Sequence, residues 1–384
     1  MLSKFAESIE LTPIRKMFDK SLAYKNTINF TLGQPDFTTP PNILEAACKY
    51  ISKGETFYTP NAGIMPLRES IARKYSGELY PIDPAKEVMV AAGASAIMML
   101  IFDSVLNPGD EVLLPSPYWS TYMVQIRMAG GIPKLIDVQE ENDFEPTIED
   151  LEKNITDKSK ILILTSPNNP TGAVLGEKTI RAAAEIARKH NLFVISDEVY
   201  RYIRYNDEPY LSIASLPGMK ERTVVVDSFS KTYAMPGWRV GFAIGREDLI
   251  SSMTRLYEGY SSCMFAPVQY AAVEALENSN DAVLEMVSIY KKRRQLICEG
   301  LNSISGISCR YPKGAFYVMP NIKRLGMSSQ EFADRLVEEA GVVTVPGSGL
   351  GENGEGYLRM CFATSEENIK AGIDKIDKFV KSLR

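Results

Sequence analysis

An α/β fold, with a mostly parallel sheet between layers of helices, is what the sequence predicts, on three observations. Five short runs of branched apolar residues recur along the chain, and none shows the strict alternation of a half-exposed strand. Amphipathic stretches lie between them, such as TIRAAAEIARK from Thr179 to Lys189. At 384 residues the chain is also too long for one compact core, which points to two domains or a large domain with a smaller one attached. Strand, helix, strand repeating in this way favours parallel pairing, because a parallel neighbour has to be reached by a crossover.

In such sheets ligands gather beyond the carboxyl ends of the strands, so the residues just past each run are the ones to read. EVMVAA is followed by Gly93, Ala94 and Ser95, a turn opening the helix AIMMLIFDSVL. EVLLP leads to Tyr118 and Trp119, and ILILTS to the turn PNNPTG, Pro167 to Gly172. LFVISD ends on Asp197 with Tyr200 close behind, and TVVVDS runs into Ser228, Ser230, Lys231 and Arg239. Together these ends would assemble an anion-friendly turn, an aromatic plate, an amide, a carboxylate with a phenol, and a lysine with an arginine. Each piece alone has a plainer structural reading: a helix cap, a core aromatic, a turn, an ion pair.

Composition narrows the partners. Forty-eight acidic against 43 basic residues give a net charge of -5, with no long run of either sign to serve nucleic acid or a membrane surface. Small polar or anionic molecules fit better. The longest uncharged stretch, Val88 to Phe102, is shorter than the ~18 apolar residues of a membrane span. The opening MLSKFAESIELTPIRKMFDK has no signal-peptide core, so a cytoplasmic protein is expected. Five scattered cysteines are expected to be free, buried thiols, and the single histidine, His190, leaves no basis for a His triad or a metal cage.

The segment DSFSKTYAMPGWRVG, Asp227 to Gly241, resembles the pyridoxal-phosphate attachment signature of the class I aminotransferases: Ser, any residue, a small residue, Lys, then Gly-x-Arg-x-Gly. SPNNPTG, SDEVY, YTPNAGIMPLRE, PSPYWSTY, KGAFYV and GYLRMCFATSEENI match the same family in its order, so the resemblance covers essentially the whole chain. It implies fold type I, with a seven-stranded, mostly parallel sheet in a large domain and a smaller α+β domain built from both termini. The expected division is 1–45 for the N-terminal segment, 46–289 for the cofactor-binding domain and 290–384 for the C-terminal small domain.

The resemblance also implies roles. Lys231 would form a Schiff base with pyridoxal 5'-phosphate and, once freed, carry the substrate's alpha proton in a ping-pong transfer to a 2-oxo acid. Asp197 would hold the ring nitrogen, Asn169 and Tyr200 the ring's phenolic oxygen, and Trp119 the ring face. Ala94, Ser95, Ser228 and Arg239 would cradle the phosphate, with Tyr58 reaching it from the neighbouring subunit of a homodimer. Arg359 and Gly33 would take the substrate carboxylate, with Asn169 and Trp119 beside it. The glycine-rich stretch Pro346 to Gly356 is expected to form a mobile rim.

Substrate choice is less legible. In similar bacterial members that select acids, a cation stands where this chain has Ala94, and Tyr118, Phe316 and Tyr317 would allow a bulky side chain. A neutral-to-aromatic or broad preference is therefore expected. Two other readings stay open on sequence: a carbon-sulfur lyase working from the same carbanion, and a non-catalytic sensor built on the same fold.

Overall fold

All five branched apolar runs form strands of one seven-stranded sheet in the computed structural model, which describes residues 1–206 and 208–383. In chain order the strands are β1 (Ile28–Asn29), β2 (Val88–Ala91), β3 (Glu111–Ser116), β4 (Ile132–Asp137), β5 (Ser159–Thr165), β6 (Phe193–Asp197), β7 (Thr223–Ser228), β8 (Gly241–Ile244), β9 (Tyr317–Val318), β10 (Val342–Val343), β11 (Val345–Pro346) and β12 (Leu358–Cys361). The large sheet has the order β2-β8-β7-β6-β5-β3-β4. Strand β8 is antiparallel to both neighbours, and the other pairings are parallel.

Burial explains the missing alternation. Strands β2, β7 and β8 are buried at every position, because helices cover both faces of the sheet. Helix Glu177–Lys189 shows how: Ile180, Ala183, Ala184, Ile186 and Ala187 turn inward while its charged residues face solvent. The sequence did not single out β4 and β8. Strand β4 lies at the sheet edge and is largely half-buried or exposed, while GFAI of β8 has a single branched aliphatic residue.

Two features of this topology position a site. Strand β3 pairs with β4 on one side and β5 on the other, a switch point at which the connections diverge and leave a crevice. Because β8 runs backwards, it begins where β7 ends, so the link between them keeps Lys231 and Arg239 at one end of the sheet.

The remaining strands close over that end. β11, β12 and β9 form an antiparallel sheet, and β1 pairs with β10 in parallel, tying residues 28–29 to 342–343. The backbone N–H of Cys361 donates to Phe30 O at 2.8 Å, adding a second tie. Helix Asn280–Asn302 runs unbroken through residue 290. The cysteines differ from expectation in one respect. Cys298, Cys309 and Cys361 are buried and Cys263 partly so, but Cys48 is exposed, because helix Pro41–Ser52 buries the face bearing Ile43 and Ala47 instead. Among the described residues no helix is long and apolar enough to cross a membrane.

Candidate active site

A cavity of about 270 Å³ opens at the carboxyl ends of the parallel strands, roofed by the N-terminal segment and β12. Its floor is assembled one strand end at a time. After β2, Gly93 adopts φ 84° and helix Ala94–Val105 begins, placing Ala94 and Ser95 on the wall. A side chain at Gly93 would stand 2.4 Å from Arg239 Nη2, so only glycine lets that arginine lie against the turn. The segment after β3 brings Trp119, and β5 ends on Thr165 with Asn169 following. Strand β6 ends on Asp197, the turn after it carries Tyr200, and β7 delivers Ser228, Ser230 and Lys231.

The charges are unusual for a protein interior. Burial pushes the Asp197 carboxyl from its ordinary 3.8 up to about 6, although the Tyr122 hydroxyl and, at 3.2 Å, the Val199 N–H donate to it and favour its anion. Lys231 Nζ donates to Gly33 O at 2.6 Å. Burial above all lowers this amine to about 8, with Arg239 and Arg359 adding to the effect and Cys361 opposing it. Arg359 is 1% exposed; its Nη1 donates to Asn169 Oδ1 at 3.3 Å, its Nη2 to Thr31 O, and its Nε has no partner among the described residues. A buried guanidinium without a carboxylate is costly unless an anion completes it.

The turn carrying Asp197 and Tyr200 is braced from behind. Glu198 accepts from Ser196 Oγ at 2.7 Å, Ser212 Oγ at 2.5 Å and Arg201 Nη1 at 2.9 Å. Arg201, 2% exposed, also lies 4.8 Å from the ring centres of both Tyr75 and Tyr210. On the roof, Asn353 of the glycine-rich rim accepts from Ser116 Oγ at 2.5 Å and donates to Val138 O at 2.9 Å, so this rim is tied to the large sheet.

Lys231, Asp197, Tyr200, Ala94, Ser95, Trp119, Asn169, Ser228, Arg239, Gly33 and Arg359, scattered from residue 33 to residue 359, all line the one cavity. Tyr58 does not: it is 91% exposed, next to Phe57 at 82%. Of the three aromatics expected on the wall, only Tyr317 is there. Phe316 does not line the cavity; its ring packs behind the wall, 5.4 Å from the rings of Tyr200 and Tyr290 and 5.0 Å from that of Tyr317. Tyr118 faces an adjoining cleft. Sequence reasoning missed Tyr122, Thr165, Val199 and Ile14. Tyr122, three residues past Trp119 at a helix start, carried a spacing signal; Ile14, entering from helix Pro13–Ser21, carried none.

The pattern described as aminotransferase class I and II matches residues 25–376. The chain belongs to that family. An aromatic-amino-acid aminotransferase of Thermococcus litoralis is 41% identical over 386 residues, covering 100% of this chain and 99% of that one. An aspartate aminotransferase of Pyrococcus abyssi is 41% identical with the same coverage. Among solved structures, the aspartate aminotransferase of Thermus thermophilus with maleate superposes with a TM-score of 0.94 at 34% identity, covering 98% of this chain and 99% of that one. As an aminotransferase of this family, the chain is an enzyme that moves amino groups between amino acids and 2-oxo acids, on the fold type I scaffold.

Proposed function

We propose that this aminotransferase takes its amino group from an L-amino acid with a neutral or aromatic side chain, and that it holds pyridoxal 5'-phosphate in the cavity as a homodimer. One observation carries the reading: a buried arginine fork lacking a carboxylate, Arg359, shares a small cavity with a lysine whose amine is lowered to about 8. The cavity's cations, Lys231, Arg239 and Arg359, are each accounted for by cofactor or alpha-carboxylate. No further cation faces it among the described residues, and Ile14 and Ala94 line it as apolar groups, which favours a side chain without charge.

The donor set fits the cofactor. Arg239, Ser95, Ser228 and the N–H groups opening helix Ala94–Val105 suit a phosphate, aided by the helix dipole. Asp197 suits a protonated ring nitrogen, Asn169 and Tyr200 a phenolic oxygen, and Trp119 a ring face. When bound, pyridoxal phosphate supplies an aldehyde that captures amines and a ring that takes up the electron pair left by a departing alpha proton. The protein's part is to place and move protons. Lys231 Nζ, neutral in a good fraction near pH 8, accepts the alpha proton and returns it on the same side of the site. Arg359 turns the substrate so that this proton faces Nζ, gaining with the bound carboxylate the counter-ion it lacks.

The dimer is proposed from the surface. Phe57, Tyr58 and, at 48%, Phe265 are exposed, and the two segments that carry them are joined where Thr59 Oγ1 donates to Met264 O at 3.2 Å. A second copy of the chain would cover this apolar patch and receive Tyr58 at its phosphate site. The domain division at residues 45 and 289, with closure of the smaller unit over substrate, belongs to the same proposal, as does a cytoplasmic location, in keeping with five free cysteines.

The test is an absorbance titration of the cofactor-loaded protein with single amino acids and no 2-oxo acid. Loss of the visible cofactor band in favour of a pyridoxamine-phosphate band, strongest with aromatic or neutral donors, is expected. Conversion by aspartate alone would refute the preference. Pyruvate released from a cysteine-like substrate would instead favour the lyase.

A further inference from the structure

Tyr317 is 1% exposed, and its contacts reach three parts of the site at once. Strand pairing sets it opposite Cys361, two residues from Arg359 on β12, so its ring lies beside that guanidinium, 4.9 Å from ring centre to Cζ. Its hydroxyl is 2.7 Å from the Tyr200 hydroxyl. A side chain at Gly33 would come within 2.1 Å of that same hydroxyl, so the segment whose carbonyl accepts from Lys231 rests directly on Tyr317.

We propose that Tyr317 is a positioning residue that couples the substrate-carboxylate fork to the Tyr200 proton, its ring supporting Arg359 and its hydroxyl orienting Tyr200. The inference rests on the proposed roles of Arg359 and Tyr200. Each of the two hydroxyls carries a proton, and only one of these can lie in the hydrogen bond between them. For Tyr200 to donate outward to a cofactor oxygen, Tyr317 has to donate to Tyr200, and a phenol that accepts a hydrogen bond is a stronger donor. Both phenols are held protonated by burial, which keeps that relay intact across the working pH range. On the other side, Nε of Arg359 lacks an acceptor among the described residues, and the Tyr317 ring adds to the Asn169 and Thr31 oxygens that face its Nη groups.

Three variants separate the two contacts. Tyr317→Phe keeps the ring and deletes the proton: the pH midpoint of the visible cofactor band should rise by about 0.3–0.6 unit. Binding of 3-phenylpropionate to the cofactor-free protein, followed by calorimetry, should stay within about twofold for this variant. Tyr317→Met removes the ring and should weaken that binding about five- to thirtyfold. If the methionine variant does not fold, phenylalanine against pentafluorophenylalanine at 317, alike in shape and opposite in ring polarity, decides the same point. A residue that merely fills space would lower the melting temperature and move neither readout. An unshifted band in Tyr317→Phe, or unchanged carboxylate binding once the ring is lost, overturns the coupling. A wild-type protein binding neither cofactor nor 3-phenylpropionate would overturn the underlying roles themselves.

Discussion

Replacing Asp197 with asparagine should stabilise the cofactor-free protein while ending its chemistry. The carboxyl is 3% exposed and burial raises it from 3.8 to about 6, so the folded chain holds its proton more tightly than the unfolded chain does. By linkage, stability is then greatest below about pH 4 and falls as pH climbs through about 6, where the folded protein has to carry a buried anion. At ~1.4 kcal/mol per tenfold change in acidity, that anion costs about 3 kcal/mol at pH 7.5. Asparagine removes the charge and gives back about 1 kcal/mol in weaker hydrogen bonds. The loss stays small because the Tyr122 hydroxyl also lies 3.1 Å from Thr165 Oγ1 and has a second acceptor there. A net gain of about 2 kcal/mol, spread over an unfolding entropy of ~2.1 cal/mol/K per residue, raises Tm by about 2–3 °C. Calorimetric melts of cofactor-stripped wild type and Asp197→Asn at pH 7.5 and 4.5 measure it, with the gap closing at the lower pH. A gap of equal size at both pH values, or a variant less stable at pH 7.5, would refute the argument.

The site's surroundings give two more expected outcomes. Among the described residues Glu198→Gln leaves Arg201 an ion pair only with Glu78, itself 42% exposed, and should destabilise the protein by about 3–5 kcal/mol in denaturant unfolding; a loss under about 1 kcal/mol would show that the brace behind Asp197 and Tyr200 is dispensable. If Tyr58 completes a neighbour's site, mixing Tyr58→Ala with Lys231→Ala subunits should restore activity that neither parent has, and parents that stay inactive after subunit exchange would remove Tyr58 from its role.

Much of this molecule was readable from residue order because strand ends are local. A buried strand announces itself by branched residues, and the groups it delivers come a few positions later, as with Asp197 after LFVIS and Lys231 after TVVVD. The family resemblance then supplied Arg359, which no local pattern distinguishes from a surface arginine. The features that stayed hidden depend on facing. Tyr317 and Phe316 are adjacent aromatics, and only Tyr317, which the pairing of β9 with β12 sets opposite Cys361, lines the cavity. The glycines of residues 346–356 read as looseness, yet Asn353 among them makes three hydrogen bonds to Ser116 and Val138, partners more than two hundred residues away. Ile14 could not be found at all, since helix Pro13–Ser21 reaches the site only through tertiary packing.

The tie between Thr31 and Arg359 spans nearly the whole polypeptide, while Ser228, Lys231 and Arg239 sit within one short link. During synthesis the residues proposed to hold the cofactor therefore all emerge well before the arginine proposed to hold the substrate's carboxylate. Closing so long a loop is entropically slow compared with forming the nearby contacts. On the proposed roles, a chain cut short of β12 would keep the cofactor donors from Ser95 to Arg239 and lose the arginine that fixes a substrate's carboxylate, so the last strand made is the one that adds selection of an amino acid to binding.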